Sequence, residues 1–243
     1  MKPIAEMFEN RDQVIAFLER LRRSLVQMAV VVFGLALAGY VLARDVLDFL
    51  QRHTGVTLAY YALTETFFAL LHIALALSLI VSIPFILFKV LAALQAVLAQ
   101  FTRKMLYGYW FGFVFLFYLG AGFCLLVTLP YGVKFLLGFQ NQSLEALISV
   151  RKFISFCLTF ILAFGVVFEL PLVMVLLGRL GLVPITVFTR NRRYALLIIV
   201  TLSAVLTPTP DAFNLMLMAV PLYFLYEIGI LGMRLGGKKA SSG

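Results

Sequence analysis

The chain has 243 residues, 63% of them apolar and only 13% charged, with a formal net charge of +9. Soluble domains run at about 45–50% apolar and about 25% charged, so this composition excludes water as the main solvent. The charge comes without a basic face or an aromatic-basic module, which excludes a nucleic-acid binder. The two cysteines, Cys124 and Cys157, lack CxxC or Cys/His spacing and read as small buried apolar residues rather than a disulfide or metal site.

An amphipathic segment over 1–24 precedes apolar runs at 25–43, 67–94, 105–129, 153–177, 194–206 and 213–231, and a tail follows over 232–243. About 20 apolar residues cross a hydrocarbon core of about 30 Å, so the expectation is one all-α membrane domain over 1–243 with six transmembrane helices. The first run could instead follow an export signal at Arg22-Arg23-Ser24-Leu25. Its span-like length and the lack of a small-residue cleavage site favour a retained helix. Pro84, inside the second run, predicts a kink, and that run's end near Val90–Leu98 should continue into the interface. The fifth and sixth runs are short and call for bilayer thinning or shelter by neighbouring helices.

Lys and Arg alternate between the connecting segments. One set holds Lys2, Arg11, Arg20, Arg22, Arg23, Arg103, Lys104, Arg179, Arg190, Arg192, Arg193, Arg234, Lys238 and Lys239; the other holds Arg44, Arg52, Lys134, Arg151 and Lys152. Fourteen against five, with Lys89 at a boundary, places both termini in the cytoplasm. The outward loops are then about Arg44–Thr66, which contains His53, Pro130–Lys152, and the turn Thr207–Ala212.

Four polar features stand out. Glu169 lies inside the fourth run, where a carboxylate must face a cavity or partner rather than lipid, and Pro171 should bend the helix around it. Its functional reading is a contact for a substrate or partner helix, against a hydrogen bond internal to the bundle. Glu227 in the sixth run can snorkel or pair with a loop arginine. His72, in the second run, fits a helix–helix hydrogen bond better than a metal ligand. Pro208 and Pro210 stop the fifth run, with Asp211 placed to cap the next helix or to contact a partner at the rim. No catalytic triad, phosphate loop or metal cluster is present in the sequence pattern, so neither an enzyme nor a cofactor is expected.

Phe164-Gly165…Phe168-Glu169-Leu170-Pro171, Arg193-Tyr194, Leu206-Thr207-Pro208-Thr209-Pro210-Asp211 and Pro221-Leu222…Leu225-Tyr226-Glu227-Ile228 occur in this order along the six runs. Together they resemble the TatC family, the C subunit of the twin-arginine protein translocase, over nearly the whole chain. The resemblance implies a concave, cup-like bundle in the inner membrane with both termini inside. It also implies binding of twin-arginine signal peptides of folded precursors, single-span TatA/TatB-type partners, a homo-oligomer within a complex, and the proton gradient as energy source. The signal-peptide residues it points to are Glu19, Arg22, Thr102, Arg103 and Glu169; Pro84, Pro171, Pro208, Asp211 and Glu227 fall to structure or partner contact.

The likeness breaks at the recognition acids. On the N-terminal His-Leu-x-Glu-Leu-Arg motif, Arg20 occupies the Glu position, with Glu19 one residue away, and Thr102 stands where the first cytoplasmic loop has its Glu. Ala96 and Leu63 replace prolines, and His72 replaces a lysine. The resemblance thus implies a divergent paralogue with altered recognition. The alternatives are a proton-coupled solute transporter using Glu169, which would be expected to show internal repeats that are not visible here, and an assembly scaffold that binds no signal peptide.

Overall fold

The computed structural model describes residues 11–56, 58–59, 63–97, 101–137, 148–206 and 212–238. Its first helix, α1 (Arg11–Thr54), is uninterrupted for 44 residues, about 66 Å at 1.5 Å per residue. From Arg11 onward the amphipathic segment and first span are therefore one rod, and the loop expected from Arg44 begins only after Thr54. Nothing breaks the helix earlier. It stops at Gly55, which takes φ +69 and donates its N–H to Gln51 O at 2.9 Å, a left-handed cap that costs glycine nothing. His53 thus lies in the last helical turn rather than in a loop.

α2 (Leu63–Val97) carries Pro84 within it. Proline cannot donate to the carbonyl four residues back, that of Ile80. α3 (Arg103–Phe123) supplies the substitute: Tyr118 Oη donates to Ile80 O at 2.9 Å. Trp110 Nε1 on the same helix donates to Pro84 O at 2.7 Å. The proline's cost is thus met across a helix pair.

The third apolar rod does not end at Leu129 as its apolar run suggested. α3 passes through a π-helical turn at Cys124–Thr128 into α4 (Leu129–Leu137), so Pro130 is a helical residue rather than the start of a loop. The wider turn has a local cause. Leu129 N–H reaches back to Cys124 O, and Pro130 has no N–H, so the Leu125 carbonyl has no donor in its own helix. His53 fills the gap, with its Nε2 2.9 Å from Leu125 O.

The fourth rod breaks once. α5 (Val150–Phe168) ends at Glu169, and α6 (Leu170–Arg179) begins with Pro171 in its first turn. α6 closes on Gly181, with φ +70. Leu182 N–H bonds Leu177 O and Gly181 N–H bonds Gly178 O, both at 3.1 Å, the Schellman arrangement. A short α7 (Ile185–Arg190) precedes α8 (Arg192–Leu206). The last helix, α9 (Ala212–Lys238), runs well into the segment expected to be a tail.

Among the described residues, five helical segments are long and apolar enough to cross a membrane: Arg22–Thr54, Thr64–Gln95, Arg103–Phe135, Val150–Arg179 and Leu215–Leu235. α8, where the fifth span was expected, has 15 residues, about 22 Å of helix. Among the described residues the architecture is all-helical except for a two-residue parallel ladder. It pairs β1 (Leu58–Ala59) with β2 (Ile148–Ser149) and draws together the connections that follow α1 and α4.

Small residues set the helix spacing, as expected where lipid gives helices no hydrophobic drive to associate. A Cβ on Gly39 of α1 would lie 3.3 Å from Ala74 O of α2. Between α3 and α5 the fit is reciprocal: Gly120 receives Phe164 and Phe168, and Gly165 receives Phe117. α6 and α9 repeat the device, with Gly178 against Met233 and Gly229 against Met174 and Pro171. Phe117, Phe160 and Phe164 are fully buried at the centre, where Cys124 and Cys157 are buried free thiols. Long apolar side chains such as Phe33, Val41, Phe111 and Val205 are more than half exposed, as a lipid-facing surface requires.

Candidate functional site

Glu169 marks the hinge of the fourth rod. With φ −72 and ψ −17 it is both the last cap of α5 and the first of α6, and its carbonyl accepts from Leu172 N at 3.1 Å and Val173 N at 3.0 Å. Its side chain is half-buried, next in the chain to an aromatic file in which Phe164 and Phe168 both pack at a tilt against Phe123. The carboxylate forms no hydrogen bond or ion pair with any described residue. A hydrogen bond internal to the bundle is thus absent among the described residues, and the group is free to meet something else.

The antiparallel pairing of α3 with α5 and α6 fixes its depth. Gly112 of α3 lies opposite Leu172, and Gly120 opposite Phe164 and Phe168, so Glu169 is level with the middle of α3. That is about 20 Å from the α3 N-terminus at 1.5 Å per residue.

Thr102 caps that N-terminus, its Oγ1 accepting from Met105 N at 3.4 Å. Arg103 and Lys104 follow, both exposed, as is Arg22 on α1. Where a carboxylate was expected there is a neutral cap, flanked by cations and reinforced by the positive end of the helix dipole. Nearby on the α1–α2 pair, Lys89 Nζ donates to Gln27 Oε1 at 2.8 Å. The side chains of Glu19 and Arg20 lie outside the described residues, as do Pro208 and Asp211.

Glu227 on α9 is paired. Arg192 Nη2 lies 2.9 Å from its Oε2, and Tyr223 Oη donates to its Oε1 at 3.2 Å. The preceding residue, Tyr226, donates its Oη to Phe188 O at 2.7 Å, tying α7 to α9. Glu227 is therefore a structural partner of the segment between the fourth and fifth runs. His72 is exposed and makes no hydrogen bond to a described residue, so the helix–helix bond expected of it is not found among them.

Sequence reasoning missed two groups. His53 is one. The other is Glu65 in the first turn of α2, which accepts from Ser149 Oγ and from Arg151 N at 3.1 Å. It thereby caps the start of α5. Pro130 was the available signal for His53, since a proline beyond a helix's first turn leaves a carbonyl to be claimed. Which residue claims it depends on a contact 72 residues away.

These features define a multi-pass helical membrane protein whose polar groups sit at helix breaks and caps rather than in a reacting cluster. The comparisons with known proteins place it more closely. The family model for the Sec-independent protein translocase protein (TatC) matches residues 16–221. Proteins of that name from Desulforapulum autotrophicum and Carboxydothermus hydrogenoformans are similar. The first is 35% identical over 77% of this chain and 69% of the relative; the second is 33% identical over 88% and 89%. A crystal structure described as the twin-arginine translocase receptor TatC superposes with a TM-score of 0.82 at 30% identity, covering 91% of this chain and 99% of that one. The chain belongs to the TatC family and is a protein-translocase subunit, not an enzyme.

Proposed function

We propose that this subunit receives the signal peptides of folded precursor proteins and recruits single-span TatA/TatB-type subunits for their export. It does so as a six-span protein of the inner membrane with both termini in the cytoplasm. The carrying observation is Glu169, half-buried at a helix break in the fourth rod and without a partner among the described residues. A carboxylate at that depth is costly unless a guest meets it. The distance of about 20 Å from the α3 N-terminus is the length of about 13 helical residues, or about six extended ones. An apolar signal segment of ordinary size can therefore lie along α3 while its polar start remains near Thr102, Arg103 and Arg22.

The charge at that start sets this copy apart. Thr102 is already engaged as a helix cap, and Arg103 and Lys104 beside it repel a guest arginine pair instead of forking it between carboxylates. Glu19, next to Arg20 on α1, is the acid adjacent to the expected position. Recognition is accordingly weaker or different for ordinary twin-arginine signals.

The test is expression in a strain lacking its own TatC, with export of a twin-arginine reporter as readout. Export should be poor, should rise in Thr102→Glu, and should fall in Glu19→Ala. A photo-cross-linker at Val166, exposed three residues from Glu169, should capture the signal segment. Robust export indifferent to Glu19→Ala would remove the altered-recognition reading. Partner capture without precursor cross-linking would replace the receptor by a scaffold.

A further inference from the structure

α3 and α6 touch at one level and part at the next. A Cβ on Gly112 would come 2.8 Å from Leu172 Cδ2, whereas one on Gly108, a turn nearer the start of α3, would meet nothing within 4 Å. The parting leaves a cavity of about 430 Å³ bordered by Lys104, Gly108, Tyr109, Leu172, Val175 and Arg179. Leu172 and Val175 give it an apolar wall. Lys104 and Arg179 are exposed, and neither forms an ion pair or hydrogen bond with a described residue. Tyr109 on the cavity wall is 6% exposed, and its buried hydroxyl has no hydrogen-bond partner among the described residues.

The position narrows the occupant. Lys104 lies in the first turn of the third apolar rod, which starts at Arg103, and Arg179 ends the fourth, so both cations stand at the same membrane boundary, at the cavity that opens between the rods. Arg179 is held there by the Schellman closure of α6 on Gly181. Two cations over an apolar slot complement a phosphate attached to a hydrocarbon chain. An acidic peptide would satisfy the charges but not use the slot.

We propose that this cavity binds one anionic phospholipid. The phosphate lies between Lys104 and Arg179, and the proximal acyl segment follows Gly108, Leu172 and Val175. Such a lipid would brace the start of α3 against the end of α6, next to the Thr102 cap.

The test is native mass spectrometry of the full chain in mild detergent, titrated with phosphatidylglycerol and phosphatidylcholine of identical acyl chains. Phosphatidylglycerol should be retained at one copy with a preference of about thirtyfold, about fivefold arising from each cation. Lys104→Gln and Arg179→Gln should each lower that preference about fivefold, and the double variant should abolish it. Gly108→Leu fills the slot and should remove the retained lipid, with folding checked by protection of Cys124 and Cys157 from a thiol probe. Equal retention of the two lipids overturns the proposal. So does undiminished phosphatidylglycerol binding in the double charge variant, which needs no change to the packing. Displacement by equimolar glycerol phosphate would also overturn it, by assigning the site to a soluble phosphate compound.

Discussion

Gly120 offers the sharpest test of how the bundle is held. An alanine Cβ there would lie 2.6 Å from both Phe164 O and Phe168 Cγ, against 3.4 Å or more for an ordinary contact. The two helices must therefore separate by about 0.8 Å, the difference between those distances. One obstacle is a backbone carbonyl, which no rotamer change can remove. Overpacking of this kind costs about 1–3 kcal/mol, and alanine's better helix propensity returns at most about 1 kcal/mol. Gly108→Ala on the same helix meets nothing within 4 Å, so it gains the propensity term without the clash. Cys124 and Cys157 are buried, so a thiol-reactive dye reports unfolding without an added label. Gly120→Ala should melt several degrees below the unmodified chain, and Gly108→Ala at or slightly above it. If the two variants melt together, close α3–α5 packing at Gly120 does not set the bundle's stability.

Four smaller perturbations follow the same logic. His53→Ala leaves Leu125 O without a donor and should cost about 1–3 kcal/mol by the same thiol assay, with His53→Gln recovering part; no loss would mean the π turn needs no external donor. Tyr118→Phe frees the carbonyl that Pro84 cannot serve and should cost about 1 kcal/mol, whereas Tyr107→Phe, whose hydroxyl makes no bond to a described residue, should cost nothing measurable. Glu65→Ala removes the acceptor for Arg151 N, so hydrogen exchange at that amide should quicken, at a stability cost of about 1 kcal/mol; unchanged exchange would show the cap to be dispensable. Arg192→Gln breaks an ion pair whose side chains are 46% and 33% exposed, so it should cost less than about 1 kcal/mol and less than Tyr226→Phe, which loses the α7–α9 tie.

What the sequence determined by itself was whatever depends on composition and local chemistry. Apolar runs matched to bilayer thickness located the rods, and Pro171 after Glu169 located the hinge, because a missing N–H acts within one turn. The ends of the rods were less legible. Hydropathy falls at Arg44 and at Pro130, yet α1 and α4 continue, because a helix stops where a backbone conformation is imposed, as at Gly55, and not where side chains become polar. Only the tertiary structure decided who answers the stranded carbonyls. Ile80 and Leu125 are left open by prolines that anyone can read, but Tyr118 and His53 reach them across helices, at separations of 38 and 72 residues that no local pattern encodes. The Lys104–Arg179 cavity is likewise invisible in one dimension: it exists because Gly112 closes on Leu172 while Gly108, a turn away, has nothing to touch.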